Sequence, residues 1–132
     1  MITLFDYYMG RDLKYPDELT DELRKNAEVT VARVNALLSH FKQSRKVVSG
    51  WRPHIVNAAT PGAAIFSKHL TCEACDLADP QGDLDEWCMD HPEILEELRL
   101  WQEHPSASKG WAHLQIVPYK SWIPGKRRWF YP

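Results

Sequence analysis

A chain of 132 residues, 44% apolar and 26% charged, has the size and composition of one globular domain, which excludes a disordered polymer. A formal net charge of −2 gives no general electrostatic pull toward nucleic acid or an anionic membrane. No apolar run approaches the length of about 18 residues that a membrane span needs, so no insertion is expected.

The start, Met1-Ile2-Thr3-Leu4-Phe5-Asp6, lacks a basic leader and a long apolar stretch, so no signal peptide is expected. Three cysteines, Cys72, Cys75 and Cys88, fit synthesis in a reducing cytoplasm, as free thiols or metal ligands rather than a disulfide framework. Six tryptophans are many for so short a chain; core packing is their expected use, with one or two lining a groove.

Tyr7 to Pro16 reads as an irregular lead-in. From Asp17 or Thr20 to about Phe41 the pattern turns helical. Leu19, Leu23, Ala27, Val31, Val34, Leu38 and Phe41 share one stripe, and Asp21 and Glu22 suit the dipole in the first turn. Lys46-Val47-Val48-Ser49 is a short strand running into Gly50-Trp51-Arg52-Pro53. The proline restricts Arg52 to extended geometry and holds it outward at a turn. Residues 57–64 read as a small-residue loop with a Pro-Gly turn.

Ala74-Cys75-Asp76-Leu77 reads as a strand, followed by a turn at Asp79-Pro80-Gln81-Gly82. Asp83 or Asp85 is the candidate cap of a short helix through Trp87, Cys88 and Met89. Asp90-His91-Pro92-Glu93 has capping-box spacing and opens a helix that buries Ile94, Leu95, Leu98 and Trp101 and ends at Pro105. His113-Leu114-Gln115-Ile116-Val117 alternates as a strand, with Leu114 and Ile116 opposite His113. Lys126-Arg127-Arg128 is a solvated edge before a last short strand at Trp129-Phe130-Tyr131. The pattern implies one α+β domain over residues 1–132, with one mainly antiparallel sheet flanked by helices.

Chemistry concentrates in Ser67-Lys68-His69-Leu70-Thr71-Cys72-Glu73-Ala74-Cys75-Asp76, answered later by Trp111-Ala112-His113. His69, Asp76 and His113 can close around one metal ion. Three N and O ligands with a fourth position left to water are the arrangement of a catalytic zinc site. Asp76 stands among apolar strand neighbours, where an unpaired carboxylate is costly; a metal relieves that cost, and so does an ion pair with Arg52 or Lys68. A rival set, Cys72-x2-Cys75-x12-Cys88-x2-His91, has the spacing of a closed structural zinc knuckle. Its context opposes it. Strand alternation sends Asp76 to one face and Cys75 to the other, where Cys75 packs as a small hydrophobe, and Cys88 lies on a helix beside Trp87.

Ser67-x-His69-x-x-Cys72-x-Ala74-x-Asp76 resembles the Ser-x-His-x-x-Gly-x-Ala-x-Asp signature of the D-Ala-D-Ala carboxypeptidase and L-alanyl-D-glutamate endopeptidase superfamily. These are zinc peptidases of the hedgehog-like fold, common among phage endolysins. Ser49-Gly50-Trp51-Arg52-Pro53 resembles the family's Ser-Gly-Tyr-Arg-Pro, whose arginine faces the active site, and Trp111-Ala112-His113 resembles the segment bringing the last ligand. The matches fall in the family's order over residues 47–117, and the tail through Pro132 looks like that of small phage-encoded members.

The resemblance implies a monomeric zinc peptidase that hydrolyses a peptide bond in bacterial peptidoglycan. His69, Asp76 and His113 would hold zinc, Arg52 would stabilise the developing oxyanion or grip a substrate carboxylate, and Ser67 would orient the site through a hydrogen bond. Such an enzyme is made in the host cytoplasm and reaches the wall by another protein's pore. Two positions depart from the pattern. Cys72 stands where the family has glycine, a strained choice if that turn needs φ > 0. Gly110 stands three residues before His113, where many members carry a catalytic Asp or Glu. The second departure favours an alternative, a peptidase fold serving as a phage structural or peptidoglycan-binding domain.

With Gly110 unable to take a proton, Glu103 is the candidate general base. Trp101 to His104 and Trp111 to His113 flank a short loop and are expected to run antiparallel. A register that puts Glu103 and His113 on one face brings the carboxylate to the site; a one-residue slip sends it to the other face. A solvated glutamate at a helix end is the competing reading, and Asp83 and Asp85 are weaker candidates better explained as helix caps.

Overall fold

In the computed structural model, which describes residues 1–132, the chain begins with two short helices rather than an irregular lead-in: α1 (Leu4–Tyr8) and α2 (Arg11–Lys14). Thr3 and Asp6 form a reciprocal capping box on α1, and left-handed Met9 and Gly10 separate the two helices. A 3-10 turn, Pro16–Glu18, leads into α3 (Asp21–Phe41), whose cap Thr20 accepts from the Leu23 amide. Ala27, Val31, Val34 and Leu38 are buried as the stripe predicts, and Thr30 and Leu37 join them. Thr30 is tolerated on that face because its hydroxyl donates to the Cys72 carbonyl at 2.7 Å.

Strands β1 (Val47–Ser49), β2 (Ala74–Asp79), β3 (Trp101–Glu103), β4 (Gly110–Gln115) and β5 (Trp129–Phe130) form one sheet in the order β1-β2-β4-β3-β5. The α+β class is as expected, but the sheet is mixed rather than mainly antiparallel. The β1–β2, β2–β4 and β4–β3 pairings are antiparallel, while β5 runs parallel to β3. Residues 116–128 carry the chain from β4 past β3 to the far edge. A strand that returns after one reversal runs against β4 and therefore along β3.

Four further differences are local. α4 (His54–Ala59) takes up the first part of the segment read as a small-residue loop. α5 (Asp83–Asp90) is not capped by Asp83 or Asp85; the Asp79 carboxylate reaches over the turn and accepts from the Leu84 and Asp85 amides at 3.0 and 2.9 Å. α6 (Pro92–Leu98) carries proline in its first turn but forms no capping box, and it ends at left-handed Arg99, so Trp101 belongs to β3 and Pro105 ends no helix. A short apolar run does not by periodicity alone separate helix from strand. Arg128 is not a solvated edge residue: its guanidinium lies between Trp101 and Trp122, 4.3 and 4.9 Å from the ring centroids.

The two sheet faces differ in kind. Cys75, Leu77, Ala112 and Leu114 point into the core that α3 and α5 cover. The other face carries one row of side chains across all five strands. Ser49 pairs with Asp76 and Asp76 with His113; the β3–β4 register carries Glu103 opposite His113, and Glu103 pairs with Phe130. Residues directly opposite in a ladder share a face, so this single rung assembles the site.

Candidate metal centre

His69 comes from the turn before β2, and that turn is tied down from several sides. Its carbonyl accepts from the Arg52 amide at 3.0 Å, and its own amide donates to Ser67 Oγ at 3.2 Å. Asn26 and Thr30 of α3 donate to the Thr71 and Cys72 carbonyls, and the buried Tyr7 hydroxyl donates to the Ala74 carbonyl at 2.7 Å. Cys72 has φ +59°, so this position does require the left-handed region and a cysteine holds it without glycine's freedom. Gly50 is needed for another reason: a Cβ there would collide with the Tyr7 carbonyl.

His69, Asp76 and His113 are all buried and offer ligand atoms within 4.8 Å of one another, a group that can hold a metal ion. His69 Nε2 lies 3.2 Å from Asp76 Oδ2, and His113 Nδ1 lies 2.9 Å from Asp76 Oδ1. The outer nitrogens are committed. His69 Nδ1–H donates to the Gly50 carbonyl at 2.8 Å. Gln115 Nε2 donates to the Val117 carbonyl, which turns Oε1 toward His113 to accept from Nε2–H at 2.9 Å. Both neutral rings are thereby left with a lone pair aimed at the carboxylate. Lone pairs so close repel unless a cation, proton or metal, lies among them.

The charges point the same way. Burial pushes the His69 imidazole below its ordinary range, with Asp76 opposing only in part. Burial lowers His113 too, but the hydrogen bond and charge of Asp76 reverse that and hold it above its usual value. Burial alone would raise the Asp76 carboxyl; the two histidines override it and hold it well below the carboxylate range.

The three side chains open into a cavity of about 440 Å³ that Arg52, Ser67, Glu103, Trp111 and Gln115 also line. Arg52 faces this cleft, not solvent. Its Nε–H donates to Ser49 Oγ at 2.9 Å, Nη1 to Asn57 Oδ1 at 3.5 Å and Nη2 to Asp76 Oδ2 at 3.4 Å, so Arg52 and not Lys68 is the ion-pair partner of Asp76. Glu103 lies on the cleft face beside His113 and accepts from the buried Ser108 hydroxyl at 2.6 Å. Ser67 reaches His69 through the backbone, its Oγ accepting from the His69 amide, and the ring nitrogens of His69 are engaged by Gly50 and Asp76 instead. Gly110 lies at the start of β4 with open space around it.

The knuckle set does not assemble. Cys72, Cys75 and Cys88 are buried free thiols of the core, and His91 stacks on Trp87 at 4.1 Å with its Nδ1–H donating to the Trp87 carbonyl. Sequence reading missed Gln115, Asn57 and Ser49. Gln115 had a signal, since alternation places it on the same face as His113 two residues away. Asn57, buried within α4, ties Arg52 to the cleft loop by donating to the Ala64 carbonyl at 2.9 Å; nothing local marks it. Compared with protein-family models, curated proteins and solved structures, the chain matches none.

Proposed function

We propose that the protein is a zinc-dependent peptidase acting on a peptide bond of bacterial peptidoglycan, with the hedgehog-like arrangement its motifs resemble. One observation carries this reading: two imidazole lone pairs and a carboxylate converge at the floor of an open cleft, each ring held by a carbonyl oxygen on its far side. The donor set suits zinc. Two imidazole nitrogens and a carboxylate oxygen, all within 4.8 Å of one another, are ligand types that zinc takes.

Zinc, when bound, lowers the pKa of a water and polarises a carbonyl. The chain supplies the rest. Glu103 takes the proton from the attacking water and returns it to the leaving amine, with Ser108 holding the carboxylate in place. Arg52, fixed by Ser49 and Asn57, meets the oxyanion that develops on the substrate carbonyl. The substrate class comes from the motif resemblance, as does action at the cell wall.

A second reading, a metal-binding domain of the same fold without catalysis, draws on Gly110, where the motif's usual carboxylate is lacking. Mass spectrometry of purified peptidoglycan fragments separates the two. Hydrolysis that adds one water to a stem peptide or crosslink, and that stops with chelator, supports the peptidase. Intact fragments after incubation with zinc-loaded protein would leave only the binding domain.

A further inference from the structure

Phe130 is a shared wall between two cavities. On one side its ring stands 6.1 Å from His113 in the metal cleft; on the other it stacks on Tyr119 at 4.9 Å and lines a second cavity of about 490 Å³. Lys126 and Arg127 line that second cavity, and no carboxylate does. Neither cation takes part in any of the protein's ion pairs, which involve Arg45, Arg52, His69 and His113. The Arg127 guanidinium lies over the Trp129 ring at 3.9 Å, and His104 and Tyr131 pack against that tryptophan at 4.8 and 5.4 Å. A guanidinium stacked on a braced ring is pre-positioned while its in-plane donors stay free.

We infer that this second cavity is a subsite for a carboxylate carried by the peptide substrate. The inference rests on the peptidase reading of the adjacent metal centre and adds what the substrate must bear. Two free cations over an aromatic floor match a carboxylate gripped by a fork of donors, with the flanking peptide lying on Tyr119 and Phe130. A nucleic-acid track is disfavoured, because it needs a long basic stripe, whereas the net charge is −2.

The test uses the full chain and two peptidoglycan stem peptides, one with free carboxylates and one with the same carboxylates amidated. Binding is measured by calorimetry with metal bound and again after chelation. The free-carboxylate peptide is expected to bind at least about tenfold more tightly in both states, the scale of one charge-assisted contact. Replacing the exposed pair, Lys126→Gln with Arg127→Gln, should erase that ratio while metal content stays unchanged. A ratio that survives the double variant, or no binding of either peptide, overturns the subsite. So does a single-stranded oligonucleotide that binds more tightly than both peptides and is lost in the variant. A preserved ratio without any cleavage refutes the peptidase reading and leaves the carboxylate site standing; cleavage indifferent to amidation and to the variant does the reverse.

Discussion

Two sets of metal-binding side chains are interleaved along one stretch of chain, and the two faces of the sheet sort them. Cys75 and Asp76 are adjacent, yet Cys75 enters the helix-covered core and Asp76 the open cleft. On the core side burial pushes the Cys72 thiol up to about 12 and the Cys75 and Cys88 thiols higher still, so the three pack as neutral thiols. On the cleft side the same degree of burial comes with two imidazoles and an arginine, and Asp76 is held ionised. A second pair of residues repeats the contrast. Asp85 is as buried as Asp76, but its burial is the dominant influence and pushes its carboxyl up to about 7, despite a 2.8 Å bond from Gln102. Burial alone does not decide whether a carboxylate is ionised; its neighbours do.

The comparison breaks most readily at Asp76. Asp76→Ala is expected to take bound metal from one ion per chain to almost none, with the far-UV circular dichroism unchanged because the core lies on the opposite face. X-ray absorption of the wild-type protein should show N and O ligands only, and a sulfur shell near 2.3 Å would put the metal among the cysteines instead. Glu103→Gln keeps the shape and removes the basicity. Peptidoglycan hydrolysis should fall by about 100-fold or more while metal content holds, and undiminished turnover would remove Glu103 from the proton transfer.

Asp85 tests the core side. Its raised folded-state pKa means that its contribution to stability is fully present below the unfolded value near 4 and is lost as pH rises through about 7. Asp85→Asn cannot suffer that loss. Between about pH 4 and pH 8 the urea-unfolding free energy of the variant should gain on that of the parent by on the order of 1–2 kcal/mol, allowing for solvent screening. A difference that does not change with pH would mean that Asp85 titrates normally. The smallest effect is reserved for the thiols. Cys75→Ala or Cys88→Ala should cost about 1 kcal/mol of stability through lost buried volume and leave metal content untouched. Metal loss in either variant would contradict the sorting of donors by face.

What could be read from the chain was whatever repeats over a few residues. The α3 stripe and the alternation of β2 and β4 follow from periods of 3.6 and 2, so they already assigned Ala27, Val34 and Leu114 to the core and separated Asp76 from Cys75. The three prospective ligands and the Arg52 turn were legible for the same reason, as short patterns of residue type. The Trp101 strand and the parallel β5 depend on partners distant in sequence or on the path of a long connection, whereas the Asp79 cap is local and follows from how the turn after β2 folds its carboxylate back over the Leu84 and Asp85 amides.

The site's chemistry lies on both sides of that line. Residue types offered His69, Asp76 and His113. A partner distant in sequence, Gly50, chose which ring nitrogen of His69 faces the carboxylate, whereas for His113 the choice lies two residues away with Gln115, held by Val117. Likewise Glu103 could have faced either side of the sheet until the β3–β4 register carried it onto the rung of His113, because a single-residue slip reverses every side chain of a strand.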